Sequence, residues 1–223
     1  MKHNDEADIR TDTLIQILAL FFVAMFVIAF TTDPIATGTK EGQRAPPLEG
    51  SIYNGTSWTK FAMDDYLDYN WTEGDNSGQW LVVEFMDTDC PYCVQAAVKV
   101  GQYANYFSKL DSSSWDGPIV NFIATSTQLN IDGHESSRAE IEAFRDRTAG
   151  HDCGPTSCDN TDIMGPAHRF GYIDDIDQDN IKEWGVPGTP FYFIIKPNGI
   201  VAWVSSEHPD EELPDAIVRV TQE

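Results

Sequence analysis

The chain has 223 residues, of which 41% are hydrophobic and 12% aromatic, a composition that suits one globular domain with an appendage and excludes a disordered chain. Its net charge is −22, from 36 acidic against 14 basic side chains. We expect no nucleic-acid partner, because phosphate binding requires clustered lysine and arginine. The acids are spread along the chain, as is typical of a solvated surface.

An uncharged apolar run near the N-terminus predicts a membrane helix. Residues 14–30 contain one polar side chain, Gln16, and a helix over residues 13–32 would be about 30 Å long, enough for the hydrocarbon core. Because the tail of residues 1–12 is acidic, unlike the start of a cleaved signal peptide, we interpret the run as an uncleaved single-pass anchor. A buried globular helix is the alternative, and the flanking lysines and arginines leave the orientation open.

A linker and a first strand-helix unit follow. Residues 33–47 are rich in threonine, glycine and proline, which predicts a linker to a globular domain over residues 48–223. Residues 48–80 predict a short hairpin or helix and a loop. The compact apolar run Leu81–Phe85 predicts a strand, and the apolar residues within 92–110 recur at helical spacing.

Strand and helix alternate again further along the chain. Residues 119–124 predict a second strand, and Ser137 with Glu140 forms a capping box for a helix that extends to about Thr148. An irregular insertion around residues 150–180 comes next.

The last part of the chain predicts a hairpin and a helix. Residues 190–196 and 200–205 are apolar strands joined by Asn198-Gly199, a dipeptide typical of tight hairpin turns. A helix over residues 211–221 follows, with Asp210 as its N-cap. The order βα, βα, ββα predicts a three-layer α/β/α sandwich around a mixed sheet.

Two cysteines separated by two residues lie between the first strand and its helix. Cys90 and Cys93 could close a small disulfide, and a helix N-terminus would stabilise the thiolate of the first. Half of a zinc site has the same spacing. The remaining cysteines, Cys153 and Cys158, are separated by four residues rather than two, so the pattern favours a redox centre over zinc.

Cys153 and Cys158 lie within the predicted insertion, and a structural disulfide is the first interpretation. Closing this loop would contribute about 2 kcal/mol by the chain-entropy relation. A redox relay to the first pair and a metal site with His151 and His168 are the alternatives. Cysteines in two close pairs suit an oxidising compartment, which places the C-terminal domain outside the cytoplasm.

The sequence resembles the thioredoxin superfamily, especially its membrane-anchored, extracytoplasmic thiol-disulfide oxidoreductases. The resemblance covers about residues 45–222. The segments that carry it are Ala45-Pro46-Pro47, Leu81–Phe85, Cys90-Pro91-Tyr92-Cys93 and Trp184-Gly185-Val186-Pro187-Gly188-Thr189-Pro190. It implies a thioredoxin-like domain that exchanges disulfides with partner proteins and with a membrane or soluble redox partner, without a cofactor or bound metal.

The resemblance also implies roles for individual residues. Cys90 would attack a partner disulfide and Cys93 would resolve the mixed disulfide. The residues expected to contact the partner are Pro91, Tyr92, Thr189 and Pro190. Proline alone adopts a cis peptide bond at low cost, and such a bond would turn the Thr189 backbone toward an extended substrate beside Cys90.

Glu84 lies six residues before Cys90, where thioredoxins carry a buried acid that exchanges a proton with the resolving cysteine. A carboxyl within an apolar strand should have a raised pKa through desolvation, which suits proton transfer near neutral pH. A salt-bridged or edge-facing glutamate is the alternative.

The chain departs from the family where Asp87-Thr88-Asp89 precedes Cys90. The charge of Asp89, about 7 Å from the sulfur, would raise the Cys90 pKa by roughly half to one and a half units, which favours reductase or isomerase activity.

Two other protein classes are rivals to this interpretation. A peroxiredoxin-like peroxidase would need threonine three residues before the cysteine, and Thr88 is two before it. A metallochaperone module on the same fold is the other rival, but copper carriers of this kind space their cysteines by three residues.

Overall fold

The structure is a computed structural model that describes residues 5–31, 35–75, 77–110, 113–129 and 135–222, with side chains described from residue 13 to 27 in the first range. The chain forms two compact units, Met1–Ala36 and Thr37–Glu223. Residues 1–4 of the predicted tail and residues 32–34 at the predicted junction of anchor and linker lie outside the described residues.

The N-terminal unit contains helix α1, Asp5–Thr31. Side chains from 13 to 27 are exposed. Within the described part of the chain, no helix combines the length and the apolar character needed to cross a membrane. The structure therefore does not show the membrane anchor predicted over residues 13–32.

The second unit is built on a seven-stranded mixed sheet in the order β2-β1-β7-β4-β3-β8-β9, beside a two-stranded hairpin of β5 and β6. Strands β3, β4 and β7 are parallel, while β8 pairs antiparallel with β3 and β1 with β7. The strands are β1 Glu49–Tyr53, β2 Trp58–Ala62, β3 Trp80–Met86, β4 Val120–Thr127, β5 Asp152–Cys153, β6 Thr156–Ser157, β7 Gly171–Asp175, β8 Phe191–Ile195 and β9 Val201–Val204.

Helices cover both faces of this sheet. Along β3, Val82 and Met86 pack with α2, α3 and α6, whereas Val83 and Phe85 face α5 and the N-terminal hairpin. The helices are α2 Pro91–Phe107, α3 Arg138–Asp146, α4 Thr161–Met164, α5 Asp179–Glu183 and α6 Leu213–Gln222. The predicted α/β architecture with a central mixed sheet is confirmed.

Local signals explain where α3 begins and why α6 differs from its prediction. The Ser137 hydroxyl accepts a hydrogen bond from the Glu140 N–H at 3.3 Å, so the predicted cap of α3 is confirmed. Helix α6 begins at Leu213, which makes the prediction of Asp210 as its N-cap wrong. The segment before it is a turn in which the Glu211 N–H donates to the His208 carbonyl.

The compact unit starts earlier than the predicted domain. Backbone hydrogen bonds join Gly42 and Gln43 to Val201 at 2.9 and 2.8 Å, so part of the segment that the sequence assigns to a linker pairs with the outer edge of β9. Covering an edge strand in this way satisfies its backbone groups. Strand β7, within the predicted insertion, is a further element that the sequence pattern did not indicate.

Candidate functional site

Cys90 and Cys93 lie where the central strand β3 gives way to helix α2. Cys90 is the N-cap of α2 and Pro91 occupies the first helical position, where a missing N–H is harmless and the fixed φ suits the helix. Both thiols are free. Both residues are buried, and Cys90, at 5% exposed, retains more contact with solvent than Cys93, at 1%.

The two thiols differ in proton affinity. The Cys90 pKa is lowered to about 6, chiefly by a hydrogen bond from Cys93 and further by Thr189 and the first backbone N–H groups of α2, against the opposing effect of burial. Burial raises the pKa of Cys93 far above its ordinary value. At neutral pH, Cys90 is therefore a thiolate while Cys93 keeps its proton.

A loop from the far side of the sheet completes the surface beside Cys90. The Thr189–Pro190 peptide bond is cis, and the Cys90 Sγ lies 3.3 Å from the Thr189 carbonyl oxygen, across 99 residues of sequence. Tyr92 is 70% exposed next to the dithiol. The structure thus brings together the cysteines and the four residues that the sequence assigns to partner binding.

Glu84 lies beneath this dithiol, in the middle of β3 with β4 and β8 on either side. Its side chain is 5% exposed and accepts a 3.1 Å hydrogen bond from the Tyr192 hydroxyl. Burial raises the Glu84 pKa to about 7, against the opposing effects of Tyr192 and the Arg147 charge. Glu84 is thus buried on a central strand rather than exposed at an edge, and desolvation is the physical cause that raises its pKa.

Tyr192 is a site residue that the sequence analysis missed. It directly opposes Glu84 in the antiparallel pairing of β3 with β8, two residues after Pro190. The sequence carries no local signal for this pairing, because the Asn198-Gly199 turn joins β8 to β9, whereas the register of β8 against β3 is set between strands about a hundred residues apart.

The loop between β3 and Cys90 is held by its own polar side chains. The buried Asp87 carboxylate accepts hydrogen bonds from the N–H groups of Asp89 at 2.8 Å and Leu129 at 2.6 Å. The Thr88 hydroxyl donates to the Glu140 carboxylate of α3. Both acceptors are buried in the protein, so the loop presents Cys90 from a fixed base.

The second cysteine pair is a disulfide, Cys153–Cys158, within the small hairpin β5–β6. Both cysteines are fully buried. At the tip, Gly154 has φ +54°, and a Cβ there would lie 2.9 Å from the Asp89 carbonyl oxygen. The hairpin therefore packs directly against the loop that carries Cys90, and only glycine allows this approach.

The structure does not assemble the metal site considered as an alternative for this pair. His168 is buried and bonds Tyr172 at 2.6 Å and the Ala97 carbonyl at 2.8 Å. Among the described residues, no group of three or more histidine, cysteine, aspartate or glutamate side chains is arranged to hold a metal ion.

Comparisons with known proteins give a structural match without a sequence match. No family model matches the chain, and no curated protein matches it. The thioredoxin domain of a thiol-disulfide oxidoreductase from Bacteroides vulgatus is 13% identical, with a TM-score of 0.51 over 82% of this chain and 96% of that one. A reduced 2-Cys peroxiredoxin from Plasmodium vivax is 14% identical, with a TM-score of 0.50 over 77% and 72% of the two chains.

These likenesses identify the architecture of the second unit. The second unit contributes a mixed sheet with helices on both of its faces. At this level of identity, the similarity concerns the fold and leaves the chemistry to be argued from the site. The fold of residues 37–223 is thioredoxin-like.

Proposed function

We propose that the protein is a thiol-disulfide oxidoreductase that exchanges disulfides with partner proteins through Cys90 and Cys93. The observation that carries this proposal is the asymmetry of the two thiols. Cys90 has a pKa lowered to about 6 by the hydrogen bond from Cys93, and Cys93 is buried with its pKa raised by desolvation. A nucleophile that is ionised beside a resolving thiol that keeps its proton is what stepwise exchange requires.

The exchange proceeds in two displacements. The Cys90 thiolate attacks one sulfur of a partner disulfide, and the other partner sulfur leaves as a thiolate. Cys93 then gives its proton to the ionised Glu84 carboxylate and attacks the Cys90 sulfur, which releases the second partner thiolate. The partner disulfide is reduced and the Cys90–Cys93 pair is oxidised, and the reverse sequence oxidises a partner dithiol.

The surface around Cys90 suits an extended protein segment. The Thr189 backbone lies beside the sulfur and can pair with a partner backbone as an added strand does. Tyr92 and Pro91 are exposed next to it and supply an apolar contact. We therefore assign partner docking to these residues and to Pro190.

Trapping tests the proposal. The Cys93→Ser variant should accumulate mixed disulfides between Cys90 and partner proteins, visible as bands that disappear on reduction, because nothing resolves them. The Cys90→Ser variant is the matched control and should trap nothing. If Cys93→Ser gives no mixed disulfide with either a reduced or an oxidised pool of cellular proteins, disulfide exchange with proteins is refuted.

The peroxidase alternative has less support at this site. A peroxidase of the peroxiredoxin type would use a threonine hydroxyl beside the nucleophile, and the Thr88 hydroxyl is bonded to Glu140. Metal carriage is also disfavoured, because two residues separate Cys90 from Cys93, whereas copper carriers of this kind have three between their cysteines. The reduced protein should therefore react more slowly with hydrogen peroxide than with a low-molecular-weight disulfide.

We place the domain outside the cytoplasm, since the Cys153–Cys158 disulfide suits an oxidising compartment. Single-pass anchoring through residues 13–32 remains a prediction from the uncharged sequence, and so does the reductase or isomerase direction expected from Asp89. Extraction of membranes with alkaline carbonate tests the anchor. A chain that is released by carbonate contradicts it.

A further inference from the structure

A buried polar cluster extends beyond Glu84 beneath helix α2. Glu84 and Tyr192 come from β3 and β8, and three further polar residues come from elements elsewhere in the sequence. These are Arg147 after α3, His168 in the loop before β7, and Tyr172 on β7. The exchange proposed above uses only Glu84, so the function of the buried arginine is still to be explained.

The Arg147 guanidinium is fixed inside the protein. Its residue caps α3 in the left-handed conformation, with φ 59°, and is 8% exposed. Its Nε and Nη2 donate to the carbonyls of Gly165 and Met164 at 3.3 and 3.1 Å, and its charge lies 5.0 Å from the centre of the Phe144 ring. The contacts hold the group in place, but they do not neutralise its charge.

This cation differs from its neighbour in the sequence. Arg145 makes an ion pair with Asp146. Among the described residues, Arg147 contacts no carboxylate within ion-pair distance, and its Nη1 has no hydrogen-bond partner. A buried cation without a carboxylate in contact is costly, so a more distant negative charge must offset part of that cost.

Glu84 is the buried carboxyl that meets this requirement. Glu84 and Tyr172 are both in register with Ala124 of β4, so their side chains share one face of the sheet. The Tyr172 hydroxyl lies 2.6 Å from His168 Nδ1, and His168 Nε2 lies 2.9 Å from Arg147 Nη2, which places the cation and the carboxyl in one buried cluster.

Burial raises the Glu84 pKa and the Arg147 charge opposes that rise after Tyr192, while burial lowers the Arg147 pKa and Tyr172 and then Glu84 oppose it. His168 cannot replace this cation, because burial and then the Arg147 charge lower its pKa to about 3 and keep it neutral. The titratable and charged groups that act on Glu84 or Arg147 from the surrounding elements are Cys90, Cys93, Asp146, Tyr172 and Tyr192.

We propose that Arg147 is a positioning residue for proton transfer at the dithiol: its buried guanidinium stabilises the ionised Glu84 carboxylate across the domain interior, so that Glu84 can take the Cys93 proton at neutral pH. Without this cation, a carboxyl in an apolar core remains protonated and has no capacity to accept a proton. The inference rests on the proposed exchange, and it assigns a role to a residue that never touches the partner.

The test uses the full chain, reduced, with the aromatic disulfide 5,5′-dithiobis(2-nitrobenzoate). The first coloured thiolate is released when Cys90 attacks the reagent. The second is released when Cys93 attacks the resulting mixed disulfide, so one trace separates the two steps. Arg147→Met should move the pH midpoint of the second phase upward by roughly one unit and leave the first phase nearly unchanged. Arg147→Lys should restore most of the wild-type midpoint, because it keeps the charge.

The outcomes separate this inference from the proposed function. If the wild-type protein releases only the first coloured thiolate and shows no second phase, the proposed disulfide exchange through Cys93 is refuted. If Glu84→Gln removes the pH dependence of the second phase but Arg147→Met leaves its pH midpoint unchanged, the role of Arg147 is refuted while the proposed exchange stands. Circular dichroism checks folding, and Arg147→Gln repeats the test with another neutral side chain. We expect both neutral variants to fold, since Glu84 can then be protonated, so unfolding of both also overturns the inference.

Discussion

The buried Glu84 carboxyl should make the stability of the domain depend on pH, and Glu84→Gln should remove that dependence. Glutamine has nearly the same shape, and its carbonyl can accept the hydrogen bond that the Tyr192 hydroxyl donates at 3.1 Å. The substitution therefore removes the ionisation of residue 84 while it preserves the packing and the hydrogen bond. The difference in unfolding free energy between the two proteins therefore measures the cost of an ionised carboxylate in the interior.

The sign and size of the effect follow from the raised pKa. Burial raises the Glu84 pKa from 4.5 to about 7, so the folded protein keeps a proton that the unfolded chain loses between these values. Stability must fall as pH rises through this interval. At 1.36 kcal/mol per pKa unit, the loss is about 3 kcal/mol once the pH exceeds 7. Below pH 4.5 the carboxyl is protonated in both states and contributes no difference.

Urea denaturation at pH 4.5, 6 and 8 measures this effect. Both proteins should carry Cys90→Ala and Cys93→Ala, which removes thiol ionisation and leaves burial as the main cause of the raised pKa. Relative to the parent, Glu84→Gln should gain about 3 kcal/mol between pH 4.5 and 8. The control is the exposed Glu207→Gln, which should gain nothing. A difference between Glu84→Gln and its parent that stays constant over this pH range would refute the raised pKa.

Three further variants test the surroundings of the dithiol. Tyr192→Phe removes a hydrogen bond that lowers the Glu84 pKa, so the pH midpoint of the resolving step should rise; an unchanged midpoint contradicts this. Gly154→Ala should cost more than about 1 kcal/mol in urea denaturation, because alanine is strained at φ +54° and its Cβ would lie 2.9 Å from a backbone carbonyl; equal stability contradicts the contact. Replacing Cys153 and Cys158 by serine should cost about 2 kcal/mol or more, again measured by urea, and a smaller loss would favour a relay over a structural role.

The elements that the sequence predicts well are those with strong local signals. All seven residues of β3 are buried, and its apolar run, interrupted only by Glu84, indicates a buried strand. The start of α3 was predictable because Ser137 and Glu140 form a cap within three residues. The positions of Cys90 and Thr189 came from motif resemblance, since no local pattern brings together residues that lie 99 positions apart.

The elements that the sequence did not indicate depend on distant partners. Strand β7, Gly171–Asp175, contains few apolar residues and ends in acids, so it lacks the composition of a buried strand. It is a strand because β4 and β1 pair with its two edges and because the buried Asp175 carboxylate accepts the N–H groups of Asn180 and Ile181 at the start of α5. Such tertiary pairing overrides local propensity.

Arg147 could not be predicted for a related reason. A lone arginine after a helix is normally a solvated side chain, and nothing near it in the sequence points to Glu84. Its burial follows from the left-handed cap of α3 and from two carbonyls around α4 that receive its N–H groups. The Arg147 charge therefore lies outside the cysteine motif, and it approaches Glu84 only after elements distant in the sequence have packed together.

The loop of residues 87–89 before Cys90 is held by contacts with three other elements of the domain. Asp87 is bonded to the Leu129 backbone after β4, Thr88 is bonded to Glu140 on α3, and the Asp89 carbonyl lies against Gly154 in the disulfide hairpin. Three separate elements therefore fix a three-residue loop whose next residue is the proposed nucleophile. A fixed loop reduces the conformational freedom that Cys90 must lose when it attacks, and it keeps the sulfur beside the backbone N–H groups that stabilise its thiolate. The Cys153–Cys158 disulfide, although remote in sequence, thereby supports the reactivity of Cys90 as well as the stability of the domain.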